Sequence, residues 1–226
     1  VAFTTASASA YELSIGRWSR TLAGALVEWV SPRGEDMLDV GCGTGHLAHA
    51  LADACPMAAI TGVDILPGLL ESARGKEHPR CQFIVGDAMA LPFPDSVFDF
   101  VISQLVLNFL PDPGLAIAQM SRVARPGATV SGAVWDIENG LPAFHFLWKH
   151  ACEVAPELLC HYSRWREQPA TRIQVLSHHW REAGLHELRT ARLDMTMRFE
   201  TFDDFWLPAS HGGQAFGRAL GTLDSD

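Results

Sequence analysis

Three glycines at alternate positions stand in the run Asp39-Val40-Gly41-Cys42-Gly43-Thr44-Gly45. The run follows a short apolar stretch at 37–40 and precedes a helical pattern at 47–54. A strand can turn so sharply into a helix only where side chains are absent. The same absence lets a ligand lie against the main chain at the helix N-terminus. The strand–helix rhythm continues beyond this loop. Further strands are expected at 58–64, 81–85, 98–103 and 129–135, and helices at 18–30, after Pro67 and at 113–124. Alternation of this kind predicts a parallel sheet covered on both faces. The nearly continuous apolar strands agree, because such strands are buried on both sides.

After Asp136 the rhythm changes. Residues 141–159 are rich in aromatics, His and Cys and read as helical. A helix follows at 171–183, then Gly184, a strand at 186–195 and one helical turn at 203–207. Residues 1–10 read as a mobile tail. Residues 211–226 are Gly-rich and polar with no obvious closing element, and the chain has no initiator Met, so a missing last strand is one expectation.

The 226 residues suggest one domain. A net charge of −9 with no basic run disfavours nucleic acid, whose binding depends on Lys and Arg neutralising phosphates. Arg17 with Arg20 is the only basic hint near the front. The five cysteines are odd in number and show no C-x-x-C spacing, which points to free thiols in a reducing compartment. No apolar run reaches the roughly 18 residues of a membrane span. With no signal-like start, a cytoplasmic protein is expected.

Two carboxylates extend the glycine loop into a site. Asp64 ends the second strand, where it can accept hydrogen bonds from both hydroxyls of a ribose; a helix N-cap is the plain alternative. Asp87, in Gly86-Asp87-Ala88, follows the third strand and can accept from the exocyclic amine of an adenine. A dinucleotide site would share the glycines and Asp64. It would also require a small residue where His46 stands.

The ordered set from Asp39 to Gly127 includes Leu91-Pro92-Phe93, the strand ending in Ser103-Gln104, Leu110-Pro111-Asp112-Pro113 and Arg125-Pro126-Gly127-Ala128. It resembles the class I S-adenosylmethionine-dependent methyltransferases, and within them the ubiquinone/menaquinone-methyltransferase-like group called methyltransferase type 11. Tyr11 and Gly16-Arg17-Trp18-Ser19-Arg20 are similar to the opening of that group. The resemblance implies an α/β Rossmann-like fold, a mostly parallel twisted sheet with helices on both faces and a small helical cap. Such sheets usually end in an antiparallel strand, and the C-terminal pattern leaves its presence open. A single domain is expected, with a cofactor-binding core at 11–136, a cap insertion at 137–170 and the remainder of the fold at 171–226.

The resemblance also implies roles. Gly41, Gly43 and Gly45 line the methionine part of S-adenosyl-L-methionine, and Asp39 favours its ammonium. Asp64 holds the ribose with Ile65 against the adenine, and Asp87 and Ala88 bind the adenine edge. Ser103 and Gln104 face the region of the sulfonium. Tyr11 and Arg17 fold over the cofactor, with Arg17 a partner for its carboxylate. Asp99, early in its strand, is structural, and Asn108 stands where relatives often have His.

The expected reaction is direct displacement of the methyl group by a small-molecule acceptor, leaving S-adenosyl-L-homocysteine. Such a reaction needs alignment first and a general base only if the acceptor must lose a proton. His145 is the best candidate base, ahead of His161 and Tyr162. The aromatic cap, with Trp135, Phe144, Phe146, Trp148, His150 and Trp165, suits a small or apolar acceptor or serves only to pack the cap. His46 and His49 share a helix face without a third ligand, so no metal is expected. The alternatives are a non-catalytic binder of the same cofactor and, at a greater distance, an NAD-dependent oxidoreductase. The latter lacks a Lys near Tyr11 or Tyr162. The Asn/Asp-Pro-Pro-Tyr/Phe motif of base-amino methylation is missing.

Overall fold

The computed structural model describes residues 8–211 and 214–223. Five strands form one sheet: β1 (Asp36–Val40), β2 (Ala59–Asp64), β3 (Cys81–Val85), β4 (Phe98–Gln104) and β5 (Ala124–Ala133). Their order is β3-β2-β1-β4-β5 and every pairing is parallel. The chain winds outward to β3 and then returns to the other side of β1. The carboxyl ends of β1 and β4 therefore flank the point where the winding reverses, which is where open α/β sheets bind ligands.

Helices cover both faces. A short helix, α1 (Ala8–Tyr11), runs through a π-helical turn at Glu12–Gly16 into α2 (Arg17–Val30). The expected tail thus contains ordered helix from Ala8; its first seven residues lie outside the described ones. Leu22, Ala23, Leu26, Val27 and Val30 recur at helical spacing and are buried. Ala23, Leu26, Val27 and Val30 pack with α3 (His46–Ala54) and α4 (Pro67–Arg74) against Met37, Ile60, Phe83 and Phe100. Pro67 opens α4, where a missing N–H costs nothing. On the other face lie α5 (Pro113–Val123) and α8 (Ile173–Glu182), over Leu38, Val40 and Val101. Asp112 caps α5 by accepting from the Leu115 N–H at 2.9 Å.

A third core holds the cap. It joins α6 (Pro142–Val154) and α7 (Leu159–Arg166) to α9 (Phe202–Ser210) and α10 (Ala215–Leu220). Trp148 is 1% exposed at its centre, stacked near Tyr162 and Trp165 and meeting Phe216 edge to face. The cap core therefore draws on the C-terminal part of the chain as well as on residues 137–170.

The structure corrects the C-terminal expectations. No strand forms at 186–195. Leu193, Met195, Met197 and Phe199 are half-buried and alternate with exposed neighbours, so one face of the segment is packed. No ladder joins this segment to β5, and Gly184–Thr190 and β5 line a shared groove of about 1140 Å³. Trp180 reaches β5 instead, donating from Nε1 to the Val130 carbonyl at 3.4 Å. In place of a featureless end there is α10, and the single turn at 203–207 extends into α9. Strand β5 starts five residues earlier than expected. Its Pro126 and positive-φ Gly127 are tolerated because β5 lies at the sheet edge, next to an irregular pairing with Phe98 and Phe100. Among the described residues the sheet has no antiparallel strand, and no helix is long and apolar enough to cross a membrane.

Candidate active site

The glycine loop is fixed from below by β2. The Gly41 and Cys42 N–H groups both donate to the Val63 carbonyl, at 2.7 and 3.0 Å. All three glycines have positive φ, at 74°, 54° and 85°, a region that disfavours other residues. The neighbourhoods of Gly41 and Gly43 differ. A Cβ on Gly41 would collide with the Val106 side chain, whereas one on Gly43 would meet only Tyr11 and Leu69, at 3.7 Å or more. The open side of the loop is therefore at Gly43, under the Tyr11 ring.

Two carboxylates underlie the loop. Asp64 Oδ2 accepts from the Gly43 N–H at 2.8 Å and Oδ1 from the Leu66 N–H at 2.9 Å, so the strand end and the loop orient it together. Burial still raises its pKa, against the pull of these amides. Asp39 is 1% exposed and neither of its oxygens has a hydrogen-bond partner. Burial, reinforced by the Asp64 charge, pushes it up to about 8; the Ala48 N–H pulls the other way but falls short of hydrogen-bond geometry. Such a group is costly unless something cationic or hydrogen-bonding meets it. Ser103 Oγ, Gln104 Oε1 and Thr44 Oγ1 are also buried without partners. These orphaned acceptors and hydroxyls fit a ligand that brings an ammonium and a diol.

The N-terminal segment closes over this region. The Tyr11 hydroxyl meets Ser19, and burial drives its pKa to about 12. Ser19 in turn accepts from Gln104 Nε2, at 2.8 Å on Oγ and 3.0 Å on the carbonyl. His46 Nε2 lies 2.9 Å from both Glu12 oxygens, and Lys76 Nζ donates to Glu12 at 3.3 Å and to the Thr44 carbonyl at 2.8 Å. Burial lowers the His46 pKa, with Glu12 opposing. Glu12, Ser19, Lys76 and Val106 were not singled out from the sequence. Ser19 entered the sequence reading only as part of the run Gly16-Arg17-Trp18-Ser19-Arg20, with no role of its own.

The other expected site residues fall in three places. Asp87 Oδ1 accepts from the Met89 N–H at 2.8 Å, Ala88 is buried, and Ile65 is 60% exposed at the end of β2, its apolar face free. Arg17 pairs with Asp204, at 2.7 Å, and stacks on Trp18 and Phe199. His145 has both ring nitrogens engaged, Nδ1 with the Tyr162 hydroxyl at 3.0 Å and Nε2 with the Ile137 carbonyl at 2.6 Å. At the opposite end of the sheet Asp99 accepts from the Glu35 and Asp36 N–H groups and pairs with Arg125 at 2.6 Å. Among the described residues no three His, Cys, Asp or Glu side chains are grouped to hold a metal.

Residues 38–131 match the family model described as a methyltransferase domain. Over that segment the chain is similar to the methyltransferase domains of the type 11 group. The family is S-adenosylmethionine-dependent. The match begins within β1 and ends within β5, so it covers the glycine loop and both carboxylates. The chain is 38% identical over 123 residues to the ubiquinone/menaquinone biosynthesis C-methyltransferase UbiE of Paracoccus denitrificans, covering 51% of this chain and 49% of that one. It is 35% identical over 126 residues to the malonyl-[acyl-carrier protein] O-methyltransferase of Hahella chejuensis, covering 54% and 44%. The chain thus spans about half the length of the curated relatives it matches. The fold resembles Haemonchus contortus phosphoethanolamine N-methyltransferase 2 in complex with S-adenosyl-L-methionine, with a TM-score of 0.60 at 20% identity over 78% of this chain and 40% of that one.

Proposed function

We propose that this methyltransferase domain binds S-adenosyl-L-methionine on the glycine loop and transfers its methyl group to a small-molecule acceptor. The observation that carries the reading is the pair of buried carboxylates, Asp39 and Asp64. Asp39 has two unmet oxygens beneath positive-φ glycines, and Asp64 is pinned by the Gly43 and Leu66 amides. In this reading Asp39 meets the cofactor's ammonium and Asp64 its ribose hydroxyls. Gly41, Gly43 and Gly45 pass its methionine portion, with Ser103 and Gln104 beside it, while Ile65, Asp87 and Ala88 receive the adenine and Tyr11 closes over the top. The position of Arg17 on Asp204 supports a role at the cap rather than on the cofactor carboxylate.

The bound cofactor supplies an electrophilic methyl group on a sulfonium. The chain's own residues then have to orient the two reactants and keep water out, and orientation alone is worth roughly 7–11 kcal/mol of barrier. The commitment of both His145 nitrogens within the cap favours a scheme in which the acceptor needs no base from His145. Residues 11–136 form the cofactor core in this proposal, with 137–170 as cap and 171–226 completing the fold. A crystal structure with S-adenosyl-L-homocysteine tests it: the ribose is expected within hydrogen-bond distance of Asp64 and the ammonium beside Asp39. A ligand bound elsewhere, with the glycine loop unchanged, would overturn the assignment.

A further inference from the structure

A cavity of about 530 Å³ lies where the N-terminal segment, the turn after β4 and the helical cap meet. That volume is within the ~300–1,000 Å³ typical of small-molecule sites. Trp18, Trp135, Phe144, Trp165, Phe199 and Phe205 wall it. Its lining includes Arg17, Arg164 and Arg218 and, among the described residues, no aspartate or glutamate. This arrangement is selective in a chain whose net charge is −9. Asp204 answers Arg17 from outside the lining, while the Arg164 side chain has no ion-pair partner among the described residues. Asn108 also lines the cavity, and both its amide nitrogen and oxygen are buried without a partner.

These features restrict the ligand. Aromatic walls take flat rings or cations, and the Arg164 guanidinium, with no lining carboxylate among the described residues, disfavours the cation. An unpaired arginine selects a carboxylate through charge-assisted hydrogen bonds. The Asn108 amide, able to donate and to accept, suits a polar substituent on the ring. The turn that carries Asn108 also borders the glycine loop: Val106, two residues before Asn108, is the side chain pressed against Gly41. We propose that this cavity takes a flat aromatic acceptor bearing a carboxylate, with Arg164 on the carboxylate and Asn108 on the ring substituent. Only the word acceptor rests on the methyl-transfer reading; the anion site stands on the cavity itself.

Three probes of one shape test the proposal by quenching of tryptophan fluorescence: 2-naphthoate, 2-naphthamide and 2-naphthylmethylammonium. The carboxylate is expected to bind about tenfold or more tightly than the amide, with the ammonium weakest. Arg164→Gln should erase that preference while leaving amide binding within about twofold, and Arg164→Lys should retain part of it. Arg164 is exposed, so thermal melting should find both variants folded. Equal affinities, a tighter ammonium, no binding of any probe, or an unchanged preference in Arg164→Gln would each overturn the proposal. S-adenosyl-L-homocysteine is titrated separately. Its failure to bind, with the naphthoate preference intact, would sink the methyl-transfer reading alone. Its binding without that preference would sink the anion site alone.

Discussion

Asp39→Asn removes a charge while keeping the shape of the side chain, and so isolates the cost of a buried carboxylate. Asp39 is 1% exposed with both oxygens unmet, and burial with the Asp64 charge raises its pKa from 3.8 to about 8. The native state holds this proton up to about pH 8, whereas the unfolded chain releases it near 3.8. Between those values the native state binds more protons, so stability falls as pH rises. At about 1.4 kcal/mol per unit, the interval from about pH 5 to about pH 8 sets a ceiling of about 4 kcal/mol on this loss. Asparagine is neutral throughout. Urea denaturation should therefore find the advantage of the variant over the parent about 2–4 kcal/mol larger at about pH 8 than at about pH 5. The variant should also bind S-adenosyl-L-homocysteine more weakly, since the gain comes from removing a group kept for a ligand. Parallel stability profiles for parent and variant would refute the argument.

Trp148→Ala should cost about 3–5 kcal/mol in denaturant unfolding, because it empties the centre of the cap core; a loss under about 1 kcal/mol would mean the cap has no packed core. Gly41→Ala should cost about 2–4 kcal/mol, combining a positive φ with a Cβ driven into Val106, and an unchanged urea midpoint would contradict the loop geometry. Asp99, held at a pKa of about 2 by the Asp36 and Glu35 amides and by Arg125, stabilises the fold above its ordinary pKa of 3.8 and loses that contribution as pH falls towards 2. Asp99→Asn should flatten stability over that acid interval, as read by thermal melting, and an unaltered acid limb would count against the assignment.

The central sheet was legible because parallel strands buried on both faces are continuous apolar runs, as in 37–40 and 98–103, and Pro and Gly mark their ends. The same signals misled at β5, where Pro126 and Gly127 read as a loop but occupy an edge strand. At 186–195 a period-two pattern was present and a strand was not, since alternation reports one packed face and says nothing about a hydrogen-bonding neighbour. The glycine loop and Asp64 were legible as local spacing. The Glu12–His46–Lys76 cluster and the Ser19–Gln104 contact were not, because each joins residues far apart in sequence. The cap core was hidden for the same reason, with Trp148 and Phe216 meeting only in three dimensions.

The claim on which the account depends is that the glycine loop holds S-adenosyl-L-methionine. Calorimetric titration of S-adenosyl-L-methionine and S-adenosyl-L-homocysteine, with NADH and Asp64→Ala as controls, tests it most directly. The account predicts micromolar binding of both adenosyl compounds, loss of that binding in a folded Asp64→Ala variant, and no heat with NADH. A folded parent protein that binds neither adenosyl compound, or that binds NADH in their place, would contradict it.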